Sequence, residues 1–162
     1  MYLKKINLKG KYALVTGAGK GLGRACSIAL AEAGATIIGL SRTSSDLDKL
    51  EKDIKKVKSK LIKINCDVMN YSELQEKLKK IKIIDILVNN AGVVFGGKFL
   101  DVDIDKHRLT YDVNTQGVIN MTHIFLQDLL SKEASHIVNI ASASSFTPVS
   151  YTHLTLPTKV EV

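Results

Sequence analysis

Cysteine is scarce in this 162-residue chain, which has only Cys26 and Cys66. A disulfide framework or a cysteine metal site needs more. Both residues fall in apolar patterns, so buried free thiols and no metal are expected. No apolar run reaches the ~20 residues that span a bilayer. The basic start Met1-Tyr2-Leu3-Lys4-Lys5 has no apolar stretch after it and does not fit a secretory signal. A cytoplasmic protein with no membrane partner is expected. Arginine is rare too: Arg24, Arg42 and Arg108 are the only three, so the net charge of +7 is carried by lysine. The lysines are scattered among acids over helix surfaces rather than gathered in a block. That pattern fits a solvated surface and argues against nucleic-acid binding. No solenoid repeat is visible. The length fits one domain, and 45% hydrophobic residues can fill a sizeable core.

What the chain does have is a glycine-rich stretch, Tyr12 to Gly23. The apolar run Tyr12 to Val15 suits a buried strand. Thr16, Gly17, Gly19, Lys20, Gly21, Leu22 and Gly23 then turn the chain. A helix follows, with Leu22, Ala25, Cys26, Ala29, Leu30 and Ala33 expected on its inner face. Strand, glycine turn and helix in that order cradle a dinucleotide phosphate. The glycines admit the pyrophosphate, and the helix N-terminus offers free N–H groups.

Further units repeat the alternation. Thr36 to Leu40 predicts a second strand, and Ser45 or Asp46 is expected to cap a helix carrying Leu47, Leu50, Ile54 and Val57. Lys60 to Asn65 predicts a third strand. Asn70 and Glu73 have capping-box spacing before a helix with Tyr71, Leu74, Leu78 and Ile81. Ile83 to Val88 predicts the fourth strand, a long helix is expected over 105–130, and His136 to Ala141 predicts the fifth strand. Five alternations imply an α/β fold, a doubly wound parallel sheet of Rossmann type in the order 3-2-1-4-5. Its ligand crevice is expected at the carboxyl ends of strands 1 and 4.

Polar residues stand at the ends of these strands. An acid usually follows the second strand where a site binds the 2′-hydroxyl of NAD. Here Ser41 and Arg42 stand instead. Arg42, with Lys20 in the glycine loop, suits a 2′-phosphate, so NADP(H) is expected in preference to NAD(H). Asp67, followed by Val68, is placed to accept from an adenine amino group or to shape the approach to a helix. Asn89-Asn90-Ala91-Gly92 can tie strands together and admit a cofactor, or form a turn. Asn114 has poor helix propensity within its helix, which suggests a task, such as holding a water at a kink. Ser142 could hydrogen-bond a substrate carbonyl.

Taken together, residues 8–147 resemble the short-chain dehydrogenase/reductase family. Thr16-Gly17-x-x-x-Gly21-x-Gly23, Asn89-Asn90-Ala91-Gly92, Val113-Asn114 and Val138-Asn139-Ile140-x-Ser142 match its motifs in order. The resemblance implies an oxidoreductase that moves a hydride between NADP(H) and a small carbonyl or alcohol substrate, working as a homodimer or homotetramer when full-length. It implies that Ser142 orients the carbonyl and that Asn114 serves a proton relay. It also implies a catalytic tyrosine and, four residues later, a lysine. No Tyr-x-x-x-Lys occurs in the chain. Tyr151 is followed at that spacing by Thr155, and Lys159 has no tyrosine four residues before it. In the family, the helix carrying Asn114 pairs with the missing tyrosine helix at a dimer interface, so Val118, Phe125 and Leu129 are expected to lack part of their cover. Two other readings remain: a non-catalytic nucleotide-binding protein on the same fold, and an S-adenosylmethionine methyltransferase. The latter usually wants an acid after the second strand.

Pro157 interrupts the region where the family has a long helix. Val149 to Thr158 is also what GTC TCT TAT ACA CAT CTG ACG CTG CCG ACG encodes, a string that looks like a transposase-type sequencing adapter. Residues 1–148 are therefore expected to be a partial nucleotide-binding domain, incomplete on its C-terminal side, and 149–162 a non-native tail. Resequencing the gene from source DNA should show codons that depart from this run after Pro148. Native codons matching the tail would overturn the expectation.

Overall fold

The computed structural model describes residues 6–81 and 84–142. Residues 143–162, with Tyr151, Thr155, Lys159 and the whole expected tail, lie outside the described residues, as does Ile83. Five strands run through the described residues: β1 Tyr12–Thr16, β2 Thr36–Ser41, β3 Leu61–Asn65, β4 Ile86–Asn89 and β5 His136–Asn139. All pair parallel, in the order β3-β2-β1-β4-β5. The helices are α1 Gly21–Glu32, α2 Ser44–Lys56, α3 Tyr71–Leu78, α4 Ile104–Tyr111 and α5 Gly117–Leu130.

Strand alternation sorts the core into two layers. Ala13, Val15, Ile37, Ile86 and Val88 face α1 and α2, meeting Ala31, Leu47, Leu50 and Ile54. The intervening Leu14, Ile38, Leu40 and Leu87 face the other way, onto Leu74 and Leu78 of α3 and Met121, Phe125 and Leu129 of α5. The sheet is thus wound on both faces, and the direction of winding reverses between β1 and β4. That reversal leaves a crevice beyond their carboxyl ends.

Several local features differ from the sequence reading. The buried stripe of α1 is Gly23, Ser27 and Ala31, not the more apolar row through Leu22, which is 67% exposed. Small size decides here, because α1 lies close against the glycine turn. Ser27 meets its burial cost by donating to Gly23 O at 2.7 Å. Cys26 is accordingly only half-buried, while Cys66 is buried. Helix α2 is capped by Thr43, two residues before Ser45 and three before Asp46, the expected caps, and Asp46 lies in its first turn. Asn70 caps α3 through Glu73 N (3.2 Å), but the return bond runs between side chains, Asn70 Nδ2 to Glu73 Oε2 at 2.9 Å. Strand β4 spans Ile86–Asn89, and β5 ends at Asn139, after which Ile140 N–H still donates to Asn89 O.

The expected long helix is broken by a π-helical turn at Asp112–Gln116, between α4 and α5. Phe125 and Leu129 prove to be buried core residues and Val118 is half-buried. The apolar residues left exposed on α5 are Ile119, Leu126 and Leu130. Core layer and outer face share this helix, and turn position alone decides which leucine goes where.

At the amino ends of the strands, buried Asp85 fastens the sheet. It accepts from Tyr12 N–H at 2.9 Å, from Lys132 Nζ at 3.0 Å and from Lys11 Nζ at 3.3 Å. Burial pushes its carboxyl up, but the Tyr12 N–H and the two lysines outweigh this and hold it below the ordinary 3.8. The lowered value means that Asp85 contributes stability above the unfolded pKa, and that this is lost as pH falls through the folded one. Asp85→Asn should cost roughly 2 kcal/mol at pH 7, with the difference from wild type narrowing at an acid pH below the lowered Asp85 pKa. Urea melts at the two pH values check both parts.

Candidate functional site

A cavity of about 340 Å³ occupies the crevice, within the size range of small-ligand sites. Its frame is a knot between β1 and β4. Thr16 Oγ1 accepts from Asn90 N at 2.9 Å and Ala91 N at 3.0 Å and donates to Val88 O at 3.4 Å. Asn90 Nδ2 answers by donating to Thr16 O at 3.0 Å and Gly17 O at 3.4 Å. The glycine turn is thereby fastened to the end of β4.

The Asn90 amide also fixes which residue the first turn of α1 can carry at position 23. A Cβ on Gly23 would collide with Gly17 O and with Asn90 Nδ2, so only glycine fits. Gly21 differs: its φ of +55° favours glycine, yet nothing lies within 4 Å of where its Cβ would be. That position opens into the cavity. No side chain caps α1 and its first turn holds no acid. Its N–H groups and positive dipole end are left for an anion. The glycine turn and helix start therefore fit a dinucleotide phosphate.

Of the residues singled out in the sequence, Gly17, Lys20, Gly21, Leu22, Ser41, Arg42, Asp67, Val68, Asn90, Ala91 and Gly92 line the cavity. Thr16, Gly19, Gly23 and Asn89 stand behind its wall. Gly19 lies under the start of α2, where a Cβ would sit 2.6 Å from Asp46 Cβ. Asn89 is buried and links strands, donating to Asn139 Oδ1 at 2.9 Å and Thr122 Oγ1 at 3.4 Å. Its own Oδ1 is buried with no partner among the described residues. Lys20 and Arg42 line the same cavity. Arg42 Nη1 lies 3.6 Å from Asp67 Oδ2, and Asp67 Oδ1 accepts from Met69 N at 3.0 Å.

Asn114 sits in the π-helical turn and clamps the backbone of Val93, accepting from its N–H at 2.8 Å and donating to its C=O at 2.9 Å. The turn aims the amide inward at the loop after β4, beside Gly92, as π turns at functional sites often do. Ser142 is exposed, three residues past the end of β5.

The sequence reading missed Leu40, Thr43, Asp46, Cys66 and Val113, which also line the cavity. It missed Asn120 as well, which holds Val68 O at 2.9 Å, and Gly117, where Val68 packs against the helix. An amide and a glycine on the inner face of an otherwise apolar helix were the available signal. Burial, and then the Glu73 charge, push the Cys66 thiol up to about 11. It is an unreactive thiol at neutral pH.

With this geometry in hand, the likeness to known proteins is specific. A family model described as short chain dehydrogenase matches residues 11–154. L-xylulose reductase of Bos taurus is 36% identical over 141 residues, covering 86% of this chain and 56% of that protein. The chain thus spans little more than half the length of such a relative. A metagenomic short-chain oxidoreductase solved with NADP superposes with a TM-score of 0.80 at 28% identity, covering 88% of this chain and 67% of that one. Carveol dehydrogenase from Mycobacterium avium, solved with NAD, shares the fold at a TM-score of 0.80 and 24% identity, covering 90% and 59%.

The two glycines separate architecture from binding. Gly23→Ala should lower stability by about 2 kcal/mol or more and abolish nucleotide binding with it. Gly21→Ala should cost only about 1 kcal/mol yet weaken nucleotide binding at least tenfold. Thermal melts and calorimetric titration measure the two effects.

Proposed function

The chain belongs to the short-chain dehydrogenase family, and from that premise we propose that it is the cofactor-binding part of an NADP(H)-dependent carbonyl reductase and does not itself turn over substrate. The observation that carries the reading is the cavity at the uncapped start of α1, with Lys20 and Arg42 both on its wall. Phosphate at the glycine turn and a second phosphate toward Arg42 suit these charges.

NADP(H), when bound, supplies the hydride chemistry. The chain's own residues place it: the glycine turn takes the pyrophosphate, Arg42 and Lys20 the 2′-phosphate, and Ala91 and Gly92 let the backbone come close. Ser142 orients the substrate carbonyl and stabilises charge developing on its oxygen. Asn114 holds the loop after β4 and, by family likeness, serves the proton relay. The proton itself has no donor here, because the chain contains no Tyr-x-x-x-Lys. General acid catalysis contributes typically 10²–10⁴-fold, and its loss is not made good by an ordinary serine hydroxyl.

For the whole protein, a small ketose is the substrate class that the likeness to L-xylulose reductase supports. A homo-oligomer is supported by the exposed Ile119, Leu126 and Leu130 on α5. Residues 1–148 are read as the native part of the chain, while the family match runs to residue 154.

Two measurements bear on this. In fluorescence titrations the chain should bind NADPH at least tenfold more tightly than NADH, with Arg42→Asp reversing the order. Equal affinities in both proteins would contradict the cofactor reading. Folded protein should oxidise NADPH with L-xylulose, or with a panel of ketones and aldehydes, at under a hundredth of the rate of the gene product that carries a Tyr-x-x-x-Lys pair. Turnover within tenfold would mean that another residue supplies the proton.

A further inference from the structure

Arg42 follows β2 and Asp67 follows β3. Parallel pairing of those strands, with Ser41 in register with Asn65, brings both side chains to one rim of the cavity. There they face each other with a single contact of 3.6 Å between Arg42 Nη1 and Asp67 Oδ2. We propose that Asp67 is a specificity-determining residue that acts through Arg42, competing with a ligand's 2′-phosphate for the guanidinium and so limiting the preference for 2′-phosphorylated nucleotides. The inference rests on the NADP(H) reading of the cavity.

The geometry makes the two partners unequal. Asp67 is pinned, because its other oxygen accepts from Met69 N–H at 3.0 Å. Arg42 is the freer side chain, 57% exposed against 36% for Asp67. The carboxylate stays and the guanidinium must leave it. The contact is one-pronged and longer than a hydrogen bond, whereas a phosphate offers the guanidinium a bidentate match at about 2.8 Å. Exchange therefore favours the phosphate, but against the residual attraction of Asp67. A nucleotide with a free 2′-hydroxyl gives Arg42 no such reason to move, so the penalty falls on phosphorylated ligands alone. The other acid on that wall, Asp46, is already held by Lys49 Nζ at 3.2 Å. It leaves Asp67 as the carboxylate that contests Arg42.

The test compares 2′,5′-ADP with 5′-ADP by titration calorimetry on the whole chain. Any contact of Asp67 with adenine changes both affinities alike and cancels in their ratio. Asp67→Asn keeps an acceptor for Met69 N–H and removes the charge. It should raise the preference for 2′,5′-ADP about fivefold at low salt, and the gain should shrink in 0.5 M NaCl. Asp67→Ser, which can also accept from Met69 N–H, should do the same and guards against a fault peculiar to asparagine. In an Arg42→Ala background the ratio should fall, and adding Asp67→Asn should leave it where it is. A rise in that background means that Asp67 repels the phosphate directly and overturns the inference, as does a lower preference in the single variants. If Arg42→Ala lowers the ratio but neither Asp67 variant moves it, the coupling fails and the NADP(H) reading stands. If Arg42→Ala leaves the ratio unchanged, or neither nucleotide binds, that reading fails and takes the inference with it.

Discussion

Everything at the candidate site depends on the knot between Thr16 and Asn90. A parallel sheet leaves the carboxyl ends of its strands without partners just where the chain must turn away. Here one hydroxyl takes two backbone N–H groups of the loop after β4, and one amide takes two carbonyls of the turn after β1. The two loops are cross-tied by four bonds, so the crevice between them has a set width. The same amide occupies the space beside Gly23 and thereby dictates a glycine there. Strand pairing, turn shape and the closeness of α1 are one constraint seen from three sides.

The far wall is built differently. The helix from Ile104 to Leu130 is interrupted by the π-helical turn, and the interruption lets one continuous element perform two tasks. Asn114, in the turn, reaches out to the backbone of Val93. One turn and a half later, Asn120 reaches the carbonyl of Val68 and Gly117 gives Val68 room. Thus the loops after β3 and β4 are both held by amides projecting from a helix whose other inner residues are core. Each amide satisfies a buried or half-buried backbone group that would otherwise cost a hydrogen bond.

The candidate site stays open at some expense to stability. The start of α1 carries no cap and no acid, although either would stabilise the isolated helix by about 1 kcal/mol. Asn89 buries an acceptor that has no partner among the described residues, next to the link between β4 and β5. Asp85, at the opposite end of the strands, offsets this with three bonds onto β1 and the two flanking lysines. The sheet is thus fastened firmly at its amino ends, while its carboxyl ends carry the polar groups left open for a ligand.

Hydrophobic period and turn residues alone determined the architecture. Five short apolar runs alternating with helical patterns admit few parallel arrangements, and right-handed crossovers select the observed strand order. The same local logic located the glycine turn and the Asn89-Asn90-Ala91-Gly92 end of β4, because backbone bends and strand ends have residue signatures that need no partner to be read. Helical period also picked out the inner stripes of α2 and α3, Leu47, Leu50 and Ile54 and Leu74 and Leu78, but tertiary structure decided the facing of α1 and the make-up of the cavity wall. Gly23, Ser27 and Ala31 rather than the Leu22 row became the inner stripe of α1, since closeness to Gly17 and Asn90 outweighs side-chain apolarity. Asp46 and Cys66 joined the cavity wall because neighbouring strands and α2 converge there, which no local pattern records. The pairing of Arg42 with Asp67 likewise exists only because β2 and β3 lie side by side. Residues distant in sequence acquire their meaning from the partner that packing sets beside them, and that information enters only with the assembled sheet.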